Sequence, residues 1–201
     1  MNLIRKITNS NSSPDEEFVL AMKKILRYRP RKVEFYKEAF THSSLKELNS
    51  DGFPMNYERL EFLGDAVLGS VIANYLFKKI PTGDEGYLTQ MRSKIVSREH
   101  LNELGKDLDL IKFVRSAIPS SNFGENIHGN LFEALIGAIH SDRGYSFTRK
   151  FIKPESDNCQ IQAFFWKFID TFSALTPLII LLLFSFSKRN VCTNSYACWN
   201  G

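Results

Sequence analysis

Residues Leu60–Phe77 read LEFLGDAVLGSVIANYLF, eighteen positions of apolar or small residues broken by two charges, Glu61 and Asp65. The run extends from Tyr57 to Lys79 before Pro81-Thr82-Gly83 interrupts it, so it predicts a long and largely buried central helix. Ionised carboxylates survive among apolar neighbours only when paired, hydrogen-bonded or bound to a cation. Glu58, Glu61 and Asp65 stand at i, i+3 and i+7, which gathers three like charges on one helical face. Arg59 points about 100° away around the helix and cannot neutralise that whole face.

A second apolar helix repeats the pattern. In Leu131–Ile139, LFEALIGAI, Glu133 is the lone charge, with Asn130 about one turn before it on the same face. If the two helices pack side by side, Glu61, Asp65, Asn130 and Glu133 supply oxygen ligands without His or Cys. That set favours Mg²⁺ or Mn²⁺ over Zn²⁺. Gly64, Ala66, Gly129 and Ala134 are the small residues expected to permit the close approach. The competing reading is that these acids pair with Arg or Lys in ordinary core salt bridges. His42, His100, His128 and His140 lie at no HxxxH spacing on the carboxylate helices and read as structural or surface residues, with His42 placed to orient a neighbouring loop. Nucleophile-elbow, Walker and dinucleotide glycine patterns are not found, which leaves hydrolysis by activated water as the better route.

The rest of the chain is consistent with an all-α class. Ser13-Pro14-Asp15-Glu16 combines a capping hydroxyl, a proline at the first helical position and first-turn acids, and predicts a helix from about 14 to 27. A short helix over Val33–Phe40 follows a basic joint of Arg27, Arg29, Arg31 and Lys32, which reads either as a phosphate contact or as a solvated turn. Asn49 to Pro54 is a loop. Asp84 opens a further helical stretch, DEGYLTQMRSKIVSREHLNELGKDL, with Leu88, Met91, Ile95, Leu101 and Leu104 on its apolar side. A loop near 116 to 126 leads to a helix from Gly129 to Ile139 and a short one from Tyr145 to Ile152.

At 201 residues the chain has room for one full domain and a remainder, and its 43% hydrophobic and 24% charged content exclude collagen-like, coiled-coil and wholly disordered classes. Its net charge of +4 suits a polyanionic partner without demanding one. The three cysteines, Cys159, Cys192 and Cys198, all fall in the last quarter, so the upstream region needs no disulfide framework and a reducing cytoplasm is the expected setting. Residues 1–13 form a polar lead-in without the apolar core of a secretory signal. Beyond Ile152 the character changes: both Trp residues and all three Cys occur there, along with an uncharged stretch, Thr171–Ser187, marginal for spanning about 30 Å of hydrocarbon. Residues 153–201 therefore read as an atypical hydrophobic tail. It is a membrane-associated anchor, a packed appendage, or a segment foreign to the upstream domain such as a shifted reading frame gives.

Asn56–Leu68, NYERLEFLGDAVL, closely resembles the signature of the ribonuclease III family. Ala39–Ser44 (AFTHSS), Asp84-Glu85-Gly86 with Met91-Arg92, and Phe132–Ala138 (FEALIGA) resemble its other blocks in their usual order, so the likeness covers about residues 15 to 152. The resemblance implies an all-α endonuclease domain over residues 14–152 that forms a homodimer and holds double-stranded RNA between two active sites. It implies that Glu61, Asp65 and Glu133 hold the catalytic Mg²⁺, with Asp65 and Glu133 central to catalysis and Glu58 and Glu85 supporting the same site. It offers Arg92, Lys94 and Arg98 as contacts to the RNA backbone, against the plainer reading of a solvated helix face. Products with 5′ phosphates and short 3′ overhangs, from ribosomal and messenger RNA precursors, are what the family implies.

Two departures stand against that pattern. Asn130 occupies a position where the family usually has Asp; its neutral oxygen can still ligate Mg²⁺, with one negative charge lost. The double-stranded-RNA-binding domain that members commonly carry cannot be read in residues 153–201, so RNA affinity is expected to be weak and strongly salt-dependent. The competing functional readings are a scaffold or ribosome-associated protein of the same fold without cleavage, and an ordinary helical domain with ion-paired acids.

Overall fold

The computed structural model describes residues 13–152. Seven α-helices are found there: α1 Pro14–Leu26, α2 Val33–Ala39, α3 Glu58–Lys79, α4 Glu85–Ile95, α5 Arg98–Asp107, α6 Ile127–Arg143 and α7 Tyr145–Ile152. Among the described residues no strand forms and only isolated bridges join the loops, which bears out the all-α class. The tail from residue 153, with its anchor and frame-shift readings, lies outside the described residues.

The N-terminal signals act as expected. Ser13 Oγ accepts a hydrogen bond from the Glu16 amide and Pro14 occupies the first turn of α1. Asp84 caps α4 by accepting from the Tyr87 amide at 2.8 Å. The stretch from Asp84 to Leu108 is not one helix, as the periodicity suggested, but two. Ser97 interrupts it with extended backbone and caps α5 through the His100 amide. A serine that can satisfy an orphan N–H starts a new helix more readily than it continues an old one.

The centre of the described domain is α6. Leu131, Phe132, Leu135, Ile136 and Ile139 are fully buried, and α2, α3, α5 and α7 pack around them. Each such side chain contributes about 1.5–3 kcal/mol by leaving water. The helix runs further than its apolar core predicted, to Arg143, where Gly144 at φ 77° turns the chain into α7.

The expectation that α3 is largely buried is corrected. Leu60, Gly64, Val67, Leu68, Val71, Ile72 and Leu76 are buried, but Phe62, Ala66, Ser70 and Phe77 face outward, Phe62 at 80% exposure. An apolar composition all round a helix hides which half of it the domain covers.

The α1–α2 joint is fastened to the end of α6. The buried Asp142 carboxylate accepts from the amides of Arg31 and Lys32, at 3.1 and 2.9 Å, and from the Tyr36 hydroxyl at 3.0 Å. Arg143 donates to the Arg29 carbonyl and lies over the rings of Tyr28 and Phe147, each 4.9 Å away. The basic joint is thus a clamped backbone with its cationic side chains outward.

Candidate active site

The site begins at a helix crossing. A Cβ on Gly64 would land on the carbonyl oxygen of Glu133, and one on Gly137 would land on the carbonyl of Leu60. The backbones of α3 and α6 therefore touch, and the residues flanking the contact, Glu61 and Asp65 on one helix and Asn130 and Glu133 on the other, face the same cavity. The small residues that permit this are Gly64, one of the four expected to, and Gly137, which was not among them. Of the others expected to do so, Ala66 is exposed and Gly129 packs against α5 at Leu101 and Asn102.

The cavity encloses about 500 Å³ and is open to solvent. Glu58, Glu61 and Asp65 line it from α3, Arg98 and Asn102 from α5, and Asn130 and Glu133 from α6. Asn102 ties two of these walls together: its side-chain oxygen accepts from the Gly129 amide at 2.8 Å and its amide group donates to Asn126 Oδ1 at 3.1 Å. Neither asparagine was singled out in the sequence, where a polar residue on an amphipathic helix gives no sign of which neighbour it meets.

The electrostatics are those of crowded like charges. Glu133 is pushed up to about 7, first by burial and then by Asp65 and Glu61, with Arg98 pulling it back. Glu61 is raised by burial and by Glu58, again opposed by Arg98. Burial raises the Tyr57 hydroxyl at the head of α3, with Glu61 and Glu58 adding to the effect and Asn130 opposing it. None of the ion pairs among the described residues involves Glu58, Glu61, Asp65 or Glu133, so the reading of these acids as core salt bridges is not what the structure contains.

The carboxylates line the cavity without converging. Among the described residues no three His, Cys, Asp or Glu side chains are drawn closely enough together to hold an ion as they stand. The donor chemistry nevertheless fits a hard divalent cation: every candidate ligand is an oxygen, and the repulsion that raises Glu133 is what such an ion would relieve.

The remaining residues named from the sequence fall elsewhere. Glu85 does not reach the acid cavity of its own chain. It accepts from Thr89 Oγ1 at 3.0 Å and lines, with Phe77 and Arg92, a separate cavity of about 450 Å³ at the far end of α3. Lys94 is exposed on the last turn of α4. Of the three proposed cations, only Arg98 borders the acids. His42 does orient a loop: its Nδ1 accepts from the Ser44 amide at 3.1 Å and its ring stacks on Phe123.

Comparison with known proteins agrees with this geometry. The Ribonuclease-III-like family matches residues 32–156. Ribonuclease 3 of Zunongwangia profunda is 60% identical over 152 residues, 76% of this chain and 63% of that protein. Ribonuclease 3 of Flavobacterium psychrophilum is 61% identical over 153 residues, 76% of this chain and 62% of that protein. The chain thus spans about three-fifths of the length of these curated relatives. Among solved structures, the nuclease domain of ribonuclease III from Campylobacter jejuni, described for flexibility in a region involved in dimer formation, is 31% identical with a TM-score of 0.58. That likeness covers 66% of this chain and 92% of the other. By the length of the family match and the identity of these relatives, the chain belongs to the ribonuclease III family and carries that family's helical nuclease domain.

Proposed function

We propose that this chain is a cytoplasmic endoribonuclease that hydrolyses double-stranded RNA with a divalent cation, giving 5′-phosphate products with short 3′ overhangs in ribosomal and messenger RNA precursor processing. The observation that carries this reading is the gathering of Glu58, Glu61, Asp65, Asn130 and Glu133 around one open cavity at the crossing of α3 and α6.

Glu61, Asp65, Asn130 and Glu133 would hold Mg²⁺, or Mn²⁺ in its place. When bound, the ion supplies a water of lowered pKa and positive charge for the phosphate oxygens. The chain's own residues do the rest. Four carboxylates repel an RNA backbone, so no phosphate can settle on this cavity until the acids are neutralised. Glu133 keeps a proton on its carboxyl to about pH 7 in the ion-free cavity and must give it up to act as a ligand. Asn130 offers its carbonyl oxygen without adding to the crowding. Arg98 borders the acids, and Arg92 and Lys94 lie exposed on α4, where they would meet the sugar–phosphate backbone. Such contacts read A-form shape rather than sequence.

A homodimer fits the outward face of α3. Phe62 and Phe77, 80% and 71% exposed, lie about 22 Å apart along the helix with Ala66 and Ser70 between them. Two-fold pairing of these faces in antiparallel sense would bring the Phe77 end of each subunit, with Glu85 and Arg92, beside the acid cavity of its partner. Glu85 would then support a site that its own chain does not let it reach.

The test is incubation of the purified protein with a long RNA duplex, with Mg²⁺ or with chelator. Cleavage in Mg²⁺ alone, abolished in Asp65→Asn and Glu133→Gln, is expected; binding without cleavage would overturn the reading. Asn130 favours a second reading, a scaffold of the same fold whose catalysis is lost. An inactive parent revived by Asn130→Asp would establish that one instead.

A further inference from the structure

We infer that Arg98 is the resident counter-charge of the acid cavity, taking the electrostatic place of the divalent ion while the cavity is free of it and competing with the ion for the same carboxylates. This rests on the cation site proposed above. Three features of the structure lead to it.

Arg98 is the one cationic side chain among the described residues that line the cavity, facing the carboxylates of both α3 and α6. The acids that share this cavity with it, Glu61 on α3 and Glu133 on α6, stand on both helices of the crossing. Yet it forms no ion pair with either, so its guanidinium shares their cavity without being closed down on a partner.

Its place in the chain is also unusual. Ser97 caps α5, which makes Arg98 the first residue of that helix, at the end where the macrodipole is positive and an acid is preferred. Within α5 alone a cation here is unfavourable. Its favourable partners are the acids across the cavity. The arrangement is held in register by Asn102, one turn further along α5, which accepts from the Gly129 amide on α6.

A monovalent cation beside four carboxylates does two things. It softens their repulsion in the ion-free protein, and it makes the entry of a second cation less favourable. With a divalent ion bound, the carboxylates would have a better partner and the guanidinium would be left free of them.

The experiment is titration of Mn²⁺ into the full chain, followed by electron paramagnetic resonance at low ionic strength, for the wild type, Arg98→Gln and Arg98→Lys. Arg98→Gln should bind Mn²⁺ about five-fold more tightly or better, and Arg98→Lys within about two-fold of wild type, because one charge is removed and in the other kept. Salt at about 0.5 M should shrink the difference. Equal or weaker binding by Arg98→Gln overturns the inference while leaving the cation site in place. Failure of both wild type and Arg98→Gln to bind Mn²⁺ overturns the site and the inference together.

Discussion

Gly64 and Gly137 let α3 and α6 cross with their backbones in contact, and that contact sets the acids of both helices around one cavity. A methyl group at either position has no room, since the atoms in its way are main-chain carbonyls that cannot rotate aside. Gly64→Ala or Gly137→Ala should cost about 3 kcal/mol or more in chemical denaturation, as overpacking at a rigid contact does. Gly86→Ala meets only the ordinary 3.6 Å contact with Asp84 Oδ1 and should gain about 0.5–1 kcal/mol.

The ion-free protein should lose stability as pH rises from about 4.5 to about 7. The folded pKa of Glu133 is raised above its unfolded value, so the native state binds more protons in that window and ionisation there works against folding. Glu133→Gln removes this penalty. In chelator it should melt higher than wild type at pH 8 and no higher at pH 4, as read by differential scanning calorimetry.

Asp142 satisfies two backbone amides and the Tyr36 hydroxyl while its own side chain is fully buried. Its removal leaves several donors without partners at the α1–α2 joint. Asp142→Ala should cost about 3–5 kcal/mol, with Asp142→Asn milder, and limited proteolysis should find new cleavage near residues 27–32.

Arg27 ends α1 in the left-handed region at φ 63°, where glycine rests without strain. Arg27→Gly should raise stability by about 0.5–1 kcal/mol in urea denaturation.

Phe62 is so exposed that its loss should leave the fold of one subunit intact. Phe62→Glu should leave circular dichroism unchanged and shift the protein toward monomer in analytical ultracentrifugation. A dimer of undiminished strength would place the subunit contact elsewhere.

Much of this was legible in the sequence for identifiable reasons. In the sequence Glu61, Asp65 and Glu133 are charges flanked by apolar residues, and helical spacing alone puts Glu58, Glu61 and Asp65 on one face, but the fold half-buries Glu61 and Glu133 and leaves Asp65 exposed rather than buried. What could not be read is which helix surface the domain covers: α3 is apolar nearly all round, and only packing against α6 decides that Leu68 is inside and Phe62 outside. The break at Ser97 was within reach, since serine is a strong capping residue, but the apolar spacing of Ile95, Leu101 and Leu104 runs smoothly across it. Asn102, and the place of Arg98 beside the acids, become visible only when α5 is laid against α6, a contact set by Gly105 and Gly129 rather than by the polar residues themselves. Glu85 was named through resemblance, and the geometry of a single chain leaves it at the far end of α3.

The most direct test of the cavity's chemistry is anomalous scattering from crystals soaked in Mn²⁺. The account predicts a peak among Glu61, Asp65, Asn130 and Glu133, with Arg98 turned away from it. A cavity without a peak, with the Arg98 guanidinium closed on the carboxylates instead, would contradict it.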